Sequence, residues 1–173
     1  EKLADMSIEY LSMQARAGAN ALQIFDSWVG AVNSTEYEQA IFPHMKRIIS
    51  TVKSRFPNLP LAMNGVGTDH LVSTWAKLPL DVIALDWRSS LGAAKDRGVT
   101  QTVQGNLDPA YLYGDTKTIA KVVDEILMDG VRHGKHVFNL GHGVFPEADP
   151  AKLHWLTDYV HEKSRELWAR ESR

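Results

Sequence analysis

Five times along the chain, a short apolar run ends abruptly in a polar or glycine-rich cluster and gives way to a stretch with helical periodicity. Ala21–Phe25 runs into Asp26-Ser27, and Leu59–Met63 into Asn64-Gly65-Val66-Gly67. Asp81–Leu85 ends in Asp86-Trp87-Arg88, Thr100–Gln104 in Gly105-Asn106-Leu107-Asp108-Pro109, and His136–Leu140 in Gly141-His142-Gly143. Strand and helix in strict alternation demand a parallel sheet with helices packed outside it. In such folds the C-terminal strand ends carry the ligand site. Turn and cap chemistry alone favours such residues at any single loop. Five loops of this kind together point to a polar pocket above the sheet.

The helical stretches carry their own punctuation. A first helix is marked by Leu3, Met6, Tyr10, Met13 and Ala17, spaced three and four apart as an apolar stripe. It stops at Ala17-Gly18-Ala19-Asn20. Asn33-Ser34-Thr35 caps a helix from about Glu36, and Pro43 should divide it, the second piece running to Arg55. Helices are also expected over His70–Lys77 and Leu91–Arg97, and along the face of Ile119, Val122, Val123, Ile126 and Leu127. Asp149-Pro150, an N-cap followed by proline at the first helical position, opens the last helix. The strands read as apolar on both faces, as in a barrel wall. Five strands do not close an eight-stranded barrel, and the chain opens inside a helical pattern. The expectation is an incomplete (β/α)8 barrel, residues 1–173 forming one domain that holds about the last five strands, with the N-terminal portion absent.

Composition removes several classes of function. With 173 residues, a net charge of -2 and 44% apolar residues, nothing favours nucleic acid as a partner. No run is long and apolar enough to span a bilayer, so no membrane partner is expected. The chain contains no cysteine, which removes disulfides and thiolate metal sites and fits a cytoplasmic location. Neither a dinucleotide glycine fingerprint nor a His-Glu-x-x-His helix is present, so neither an organic cofactor nor a metal is expected.

Four ordered blocks make the sequence recognisable: Gln23-Ile24-Phe25-Asp26-Ser27-Trp28, Ala84-Leu85-Asp86-Trp87, Gln104-Gly105-Asn106-Leu107-Asp108-Pro109 and Phe138-Asn139-Leu140-Gly141-His142-Gly143. Together they resemble the uroporphyrinogen decarboxylase family, particularly its bacterial members, over essentially the whole chain. The resemblance implies a TIM-type barrel acting as a homodimer with facing clefts. The implied reaction is that of a lyase of heme biosynthesis. It removes four acetate carboxyl groups from uroporphyrinogen III, giving coproporphyrinogen III, without a cofactor. It further implies that the family's N-terminal arginines, its pyrrole-binding aspartate and its cleft tyrosine lie outside this chain, which by itself should be inactive.

Ser27 and His142 match family cleft residues and are the substrate-binding candidates, whereas no residue here is assigned as the catalytic acid. Asp86 and Arg88 are secondary candidates. Asp86 either positions substrate or caps a helix; Arg88, where some relatives have threonine, either binds a carboxylate or forms a surface pair. Asp26 is expected to be structural, because a carboxylate facing an octa-anionic substrate would repel it. Asn106 and Asp108 should fix their loop, and Trp28 and Trp87 should lie in the core or the cleft wall. Two alternatives remain open: a related zinc-dependent corrinoid methyltransferase-type barrel, and a non-catalytic barrel fragment. The first conventionally needs cysteine thiolate that this chain lacks.

Overall fold

A computed structural model describes residues 1–171. Five strands, β1 (Leu22–Asp26), β2 (Leu61–Gly65), β3 (Val82–Ala84), β4 (Thr102–Leu107) and β5 (His136–Leu140), form one sheet in sequential order. Every neighbouring pair is parallel. Most strands start and end one to three residues later than the apolar runs suggest, so Asp26 and Gly65 are strand residues. The helices are α1 (Lys2–Arg16), α2 (Ser34–Glu36), α3 (Phe42–Arg55), α4 (Val72–Trp75), α5 (Thr116–His133) and α6 (Pro150–Glu171).

The two faces of the sheet differ, which corrects the expectation of strands apolar on both sides. Leu22, Leu61, Met63, Ile83, Val103 and Leu107 are buried under the helices. Alternation sends their neighbours to the other face, and the register aligns Gln23 with Ala62, Val82 and Thr102, and Phe25 with Asn64, Ala84 and Gln104. That second face is therefore mixed and partly open, with Phe25 69% exposed. Across it the Gln104 side-chain amide donates to Gln23 Oε1 at 3.3 Å. Gln23 and Gln104 stand three strands apart, about 14 Å in a flat sheet at ordinary strand spacing. Their contact requires the sheet to curl towards this face, as the wall of a barrel does.

Caps written in the sequence form as expected. Asn33 accepts from Glu36 N, and a cap not anticipated from the sequence joins it at Asp115, which accepts from Thr118 N at 2.8 Å. Asp149 accepts from Ala151 N at the start of α6. Ile119, Val123 and Leu127 of α5 are buried against Leu156, Val160 and Leu167 of α6.

Other expectations change. Pro43 does not open a gap: α2 continues through a π-helical turn at Tyr37–Ile41 directly into α3. A wider turn there accommodates a residue that has no N–H and whose ring crowds the preceding carbonyl. Residues 91–97 yield only a short 3-10 turn at Lys95–Arg97, ended by Gly98 at φ +82°. Helix α1 buries Ala4, Ile8 and Leu11, while the stripe of Leu3, Met6, Tyr10 and Met13 is exposed. The helix is apolar on two sides, and packing against α3 selected the other one. Trp28 is not in the core either, at 88% exposed.

The exposed side of α1 borders a groove of about 1080 Å³, lined by Met6, Tyr10, Phe25, Ile41 and Met45 among others. It runs beside the outer edge of β1, which has no strand partner among the described residues. An open parallel edge next to an apolar groove drives association. Light scattering on the 173-residue chain should therefore give a mass above that of a monomer. Replacing Met6 and Tyr10 together by lysine should lower it, and a monodisperse wild-type monomer would refute the link.

A second prediction concerns pH. His136 Nε2 donates to the Gly105 carbonyl at 2.6 Å, and burial pushes its imidazole pKa down. The unfolded state then binds the proton more readily, so stability is full above about pH 6.5 and falls as pH drops through that value. Urea midpoints should show this fall, and His136→Asn should flatten it.

Candidate functional site

The five C-terminal strand ends emerge on one side, and a buried carboxylate ties two of their loops together. Asp86, just after β3, is only 1% exposed. Its carboxylate accepts from Gly67 N in the loop after β2, from Arg88 N at 2.9 Å and from the Arg88 guanidinium at 3.0 Å. From β4, the Asn106 amide donates to the Asp86 carbonyl at 2.9 Å and to the Ser89 carbonyl at 2.7 Å. Asp86 caps no helix, and its carboxylate braces the loops after β2 and β3. Asp108 accepts from Ala110 N and starts the turn at Pro109–Tyr113, as expected of it.

Glycines let the loops approach this closely. Gly105 has φ +133°, and a Cβ there would sit 2.5 Å from the Leu85 carbonyl oxygen. At Gly141 a Cβ would lie 2.5 Å from Trp87 N. The end of β5 can therefore lean on the loop after β3, and His142 follows at once. Its imidazole meets the Trp87 ring edge-on, with centroids 6.2 Å apart. The Arg88 guanidinium lies over the same indole, 3.9 Å from its centroid. Trp87 is half-buried, whereas Arg88 and His142 are exposed. Sequence reasoning treated Trp87 as wall and Arg88 and His142 as separate, yet one indole carries both.

Ser27 is exposed after β1, with β2 between it and β3. Arg88 and His142 are thus brought together, and Ser27 stands apart along the same rim. Asp26 shares the helix-facing side with Leu22 and Ile24 by strand alternation, and burial raises its carboxyl pKa. Nearby, Trp75 Nε1 donates to the Tyr37 hydroxyl at 2.9 Å, and burial pushes that phenol up to about 12. A structural role for Asp26 agrees with this placement. The Gln23–Gln104 pair on the concave face was not singled out from sequence, although Leu22-Gln23-Ile24 and Val103-Gln104-Gly105 carry the period-two signal that reveals it. Among the described residues, no three His, Asp or Glu side chains gather as a metal-holding group.

Comparison with known proteins agrees with this architecture. The chain matches the uroporphyrinogen decarboxylase (URO-D) family over residues 1–163. It is 51% identical over 162 residues to a protein named uroporphyrinogen decarboxylase from Geobacillus sp. (strain WCH70), covering 94% of this chain and 46% of that one. A Staphylococcus aureus (strain JH9) protein of the same name is 48% identical, with 92% and 46% covered. The chain thus spans about half the length of the curated relatives it matches. Among solved structures, a methyltransferase from Methanosarcina mazei superposes with a TM-score of 0.74 over 92% of this chain and 47% of that one. At 18% identity that likeness concerns the fold alone. No helix among the described residues is long and apolar enough to cross a membrane. A curled parallel sheet, ordered motif blocks and a family match over nearly every residue agree, and the chain belongs to the uroporphyrinogen decarboxylase family.

Proposed function

We propose that this chain forms the C-terminal part of a cytoplasmic, homodimeric uroporphyrinogen decarboxylase, and that its strand ends supply part of the substrate cleft. The observation that carries the reading is the placement of Ser27 and His142 on one rim of the sheet, each exposed at the end of a family-matching block. The substrate is a tetrapyrrole bearing acetate and propionate carboxylates, so hydrogen-bond donors around a polar rim suit it. Ser27 contributes a hydroxyl and His142 an imidazole, while Asp86 acts on neither directly and keeps the loops in place.

In the proposed reaction, a pyrrole carbon next to the acetate-bearing carbon takes up a proton, leaving the ring cationic. The bond between methylene and carboxylate breaks, its electron pair neutralises the ring, and carbon dioxide departs. A second proton then converts the methylene to methyl, and the ring carbon releases its extra proton. The pyrrole is its own electron acceptor, so the cycle needs no metal or organic cofactor. The acid is assigned to the part of the cleft outside this chain, and the 173 residues alone are inactive in this reading.

Decarboxylation of uroporphyrinogen III to coproporphyrinogen III by a polypeptide of the relatives' full length carrying these residues is the decisive assay. His142→Asn should lower kcat/KM by about tenfold, as expected for a lost hydrogen bond in the transition state, with the thermal midpoint unchanged. Unaltered kinetics would refute the assignment of His142. Dialysis against a chelator should leave activity intact, and loss restored only by zinc would overturn the cofactor-free cycle. Asp86→Ala should instead destabilise the fold by about 2 kcal/mol, because it strips the Gly67 and Arg88 N–H groups of their acceptor. Denaturant titration reads that loss.

A further inference from the structure

We infer that Arg88 is a specificity-determining residue, a preorganised fork for one carboxylate of a polycarboxylate substrate, and that Trp87 is the positioning residue that holds it beside His142. The inference rests on the decarboxylase reading for the identity of the substrate, and on the geometry around Trp87 for everything else.

A plain surface ion pair would be the ordinary explanation of an arginine beside an aspartate. Three observations favour more. First, Asp86 is already served by two backbone donors, Gly67 N and Arg88 N, so its carboxylate has partners without the guanidinium. Second, only one guanidinium nitrogen of Arg88 bonds to Asp86, and no other acceptor among the described residues takes the remaining N–H groups. The Arg88 side chain is 51% exposed and the Asp86 side chain not at all, so those donors face outward. Third, the guanidinium lies over the Trp87 ring, 3.9 Å from its centroid. Contact with the indole face holds the guanidinium in place, and a planar fork held in place matches a carboxylate with two parallel hydrogen bonds. Much of the entropy cost of ordering a long side chain is then met before the ligand arrives.

The same indole carries His142 at its edge, where Gly141 lets the β5 loop come close. The imidazole makes only a long contact, 3.4 Å, to the Gly143 carbonyl, which leaves Nε2 available. Arg88 and His142 are therefore set at a fixed spacing, two donors for carboxylates projecting from one rigid macrocycle. Truncating Trp87 should disturb both, whereas truncating Arg88 should leave His142 where it is.

The test uses the full-length polypeptide carrying these residues. Arg88→Thr should raise KM for uroporphyrinogen about tenfold, with kcat and the thermal midpoint within error of wild type. Arg88→Lys should not restore KM, because an ammonium offers no planar fork. Trp87→Phe should stay within about threefold of wild type by retaining an aromatic face, whereas Trp87→Leu should raise KM at least as far as Arg88→Thr. KM within twofold of wild type in Arg88→Thr overturns the proposal. So does a joint fall in kcat and thermal midpoint, the signature of a purely structural pair. Should the wild type fail to decarboxylate uroporphyrinogen, the functional reading falls. Arg88 is then judged separately, by fluorescence titration of the 173-residue chain and its Arg88→Thr variant with the octacarboxylate uroporphyrin: at least fivefold weaker binding by the variant upholds the fork, and equal binding overturns it.

Discussion

The parallel ladder is covered by helices on one face only, and that asymmetry governs the rest of the molecule. Leu22, Leu61, Met63, Ile83, Val103 and Leu107 all look towards the helices, where α1, α3, α4 and α5 bury them. Apolar burial on that side is the main source of stability, as in any fold of this size. The opposite face then holds side chains that do not need full burial: Gln23, Asn64, Thr102 and Gln104 among alanines and valines. The clasp between Gln23 and Gln104 follows the curl of the sheet, and the curl brings the strand ends round towards a common axis.

At those ends, rigidity is unevenly distributed. The loops after β2 and β3 are locked to each other and to β4 by one carboxylate and one amide, Asp86 and Asn106, both buried. The loop after β5 leans on them through Trp87. The turn that carries Ser27 and Trp28 makes no hydrogen bond to Asp86 or Asn106, although Gly30 just beyond it packs against Val66 and Gly67. Buried polar groups that find every partner specify one loop arrangement, because any other leaves them unpaired at a cost. A donor for substrate placed on this brace arrives already oriented, while one placed beyond it depends on whatever else lines the groove by β1.

Much of this was legible in the sequence, and what was not has identifiable physical causes. The strand count, the parallel order and the caps at Asn33 and Asp149 depend on local signals, and the structure has them. Four motif blocks were enough to indicate the family. The buried side of α1 was not legible, because Leu3, Met6, Tyr10 and Met13 compete with Ala4, Ile8 and Leu11, and only the position of α3 decides between them. Residues 91–97 hold helix-forming side chains but include Gly92 and run into Gly98, and only one 3-10 turn survives. The role of Asp86 was invisible for another reason: its partner Gly67 is nineteen residues upstream, beyond any local spacing rule. Sequence reasoning named Ser27, Asp86, Arg88 and His142 one by one as candidates, but not that Trp87 joins Arg88 and His142.

The π-helical turn at Tyr37–Ile41 reaches further than a detour around a proline. In an uninterrupted α-helix, eight residues advance the side chain by about 80° beyond whole turns, so Tyr37 and Met45 would look in different directions. The wide turn absorbs one residue without rotation, which leaves about seven effective steps and brings the two back within about 20°. Tyr37, fully buried, and Met45 thereby share a line with Ile48, Ile49 and Val52. The segment behaves as a phase corrector, a place where the chain carries one residue too many and turns the surplus into alignment. Removing a single residue from it would leave a regular helix with the tyrosine still in line, because seven true steps rotate as far as the eight that include the wide turn. Direction, more than length, is therefore what this stretch of backbone preserves, since the wide turn takes up a residue without turning the helix.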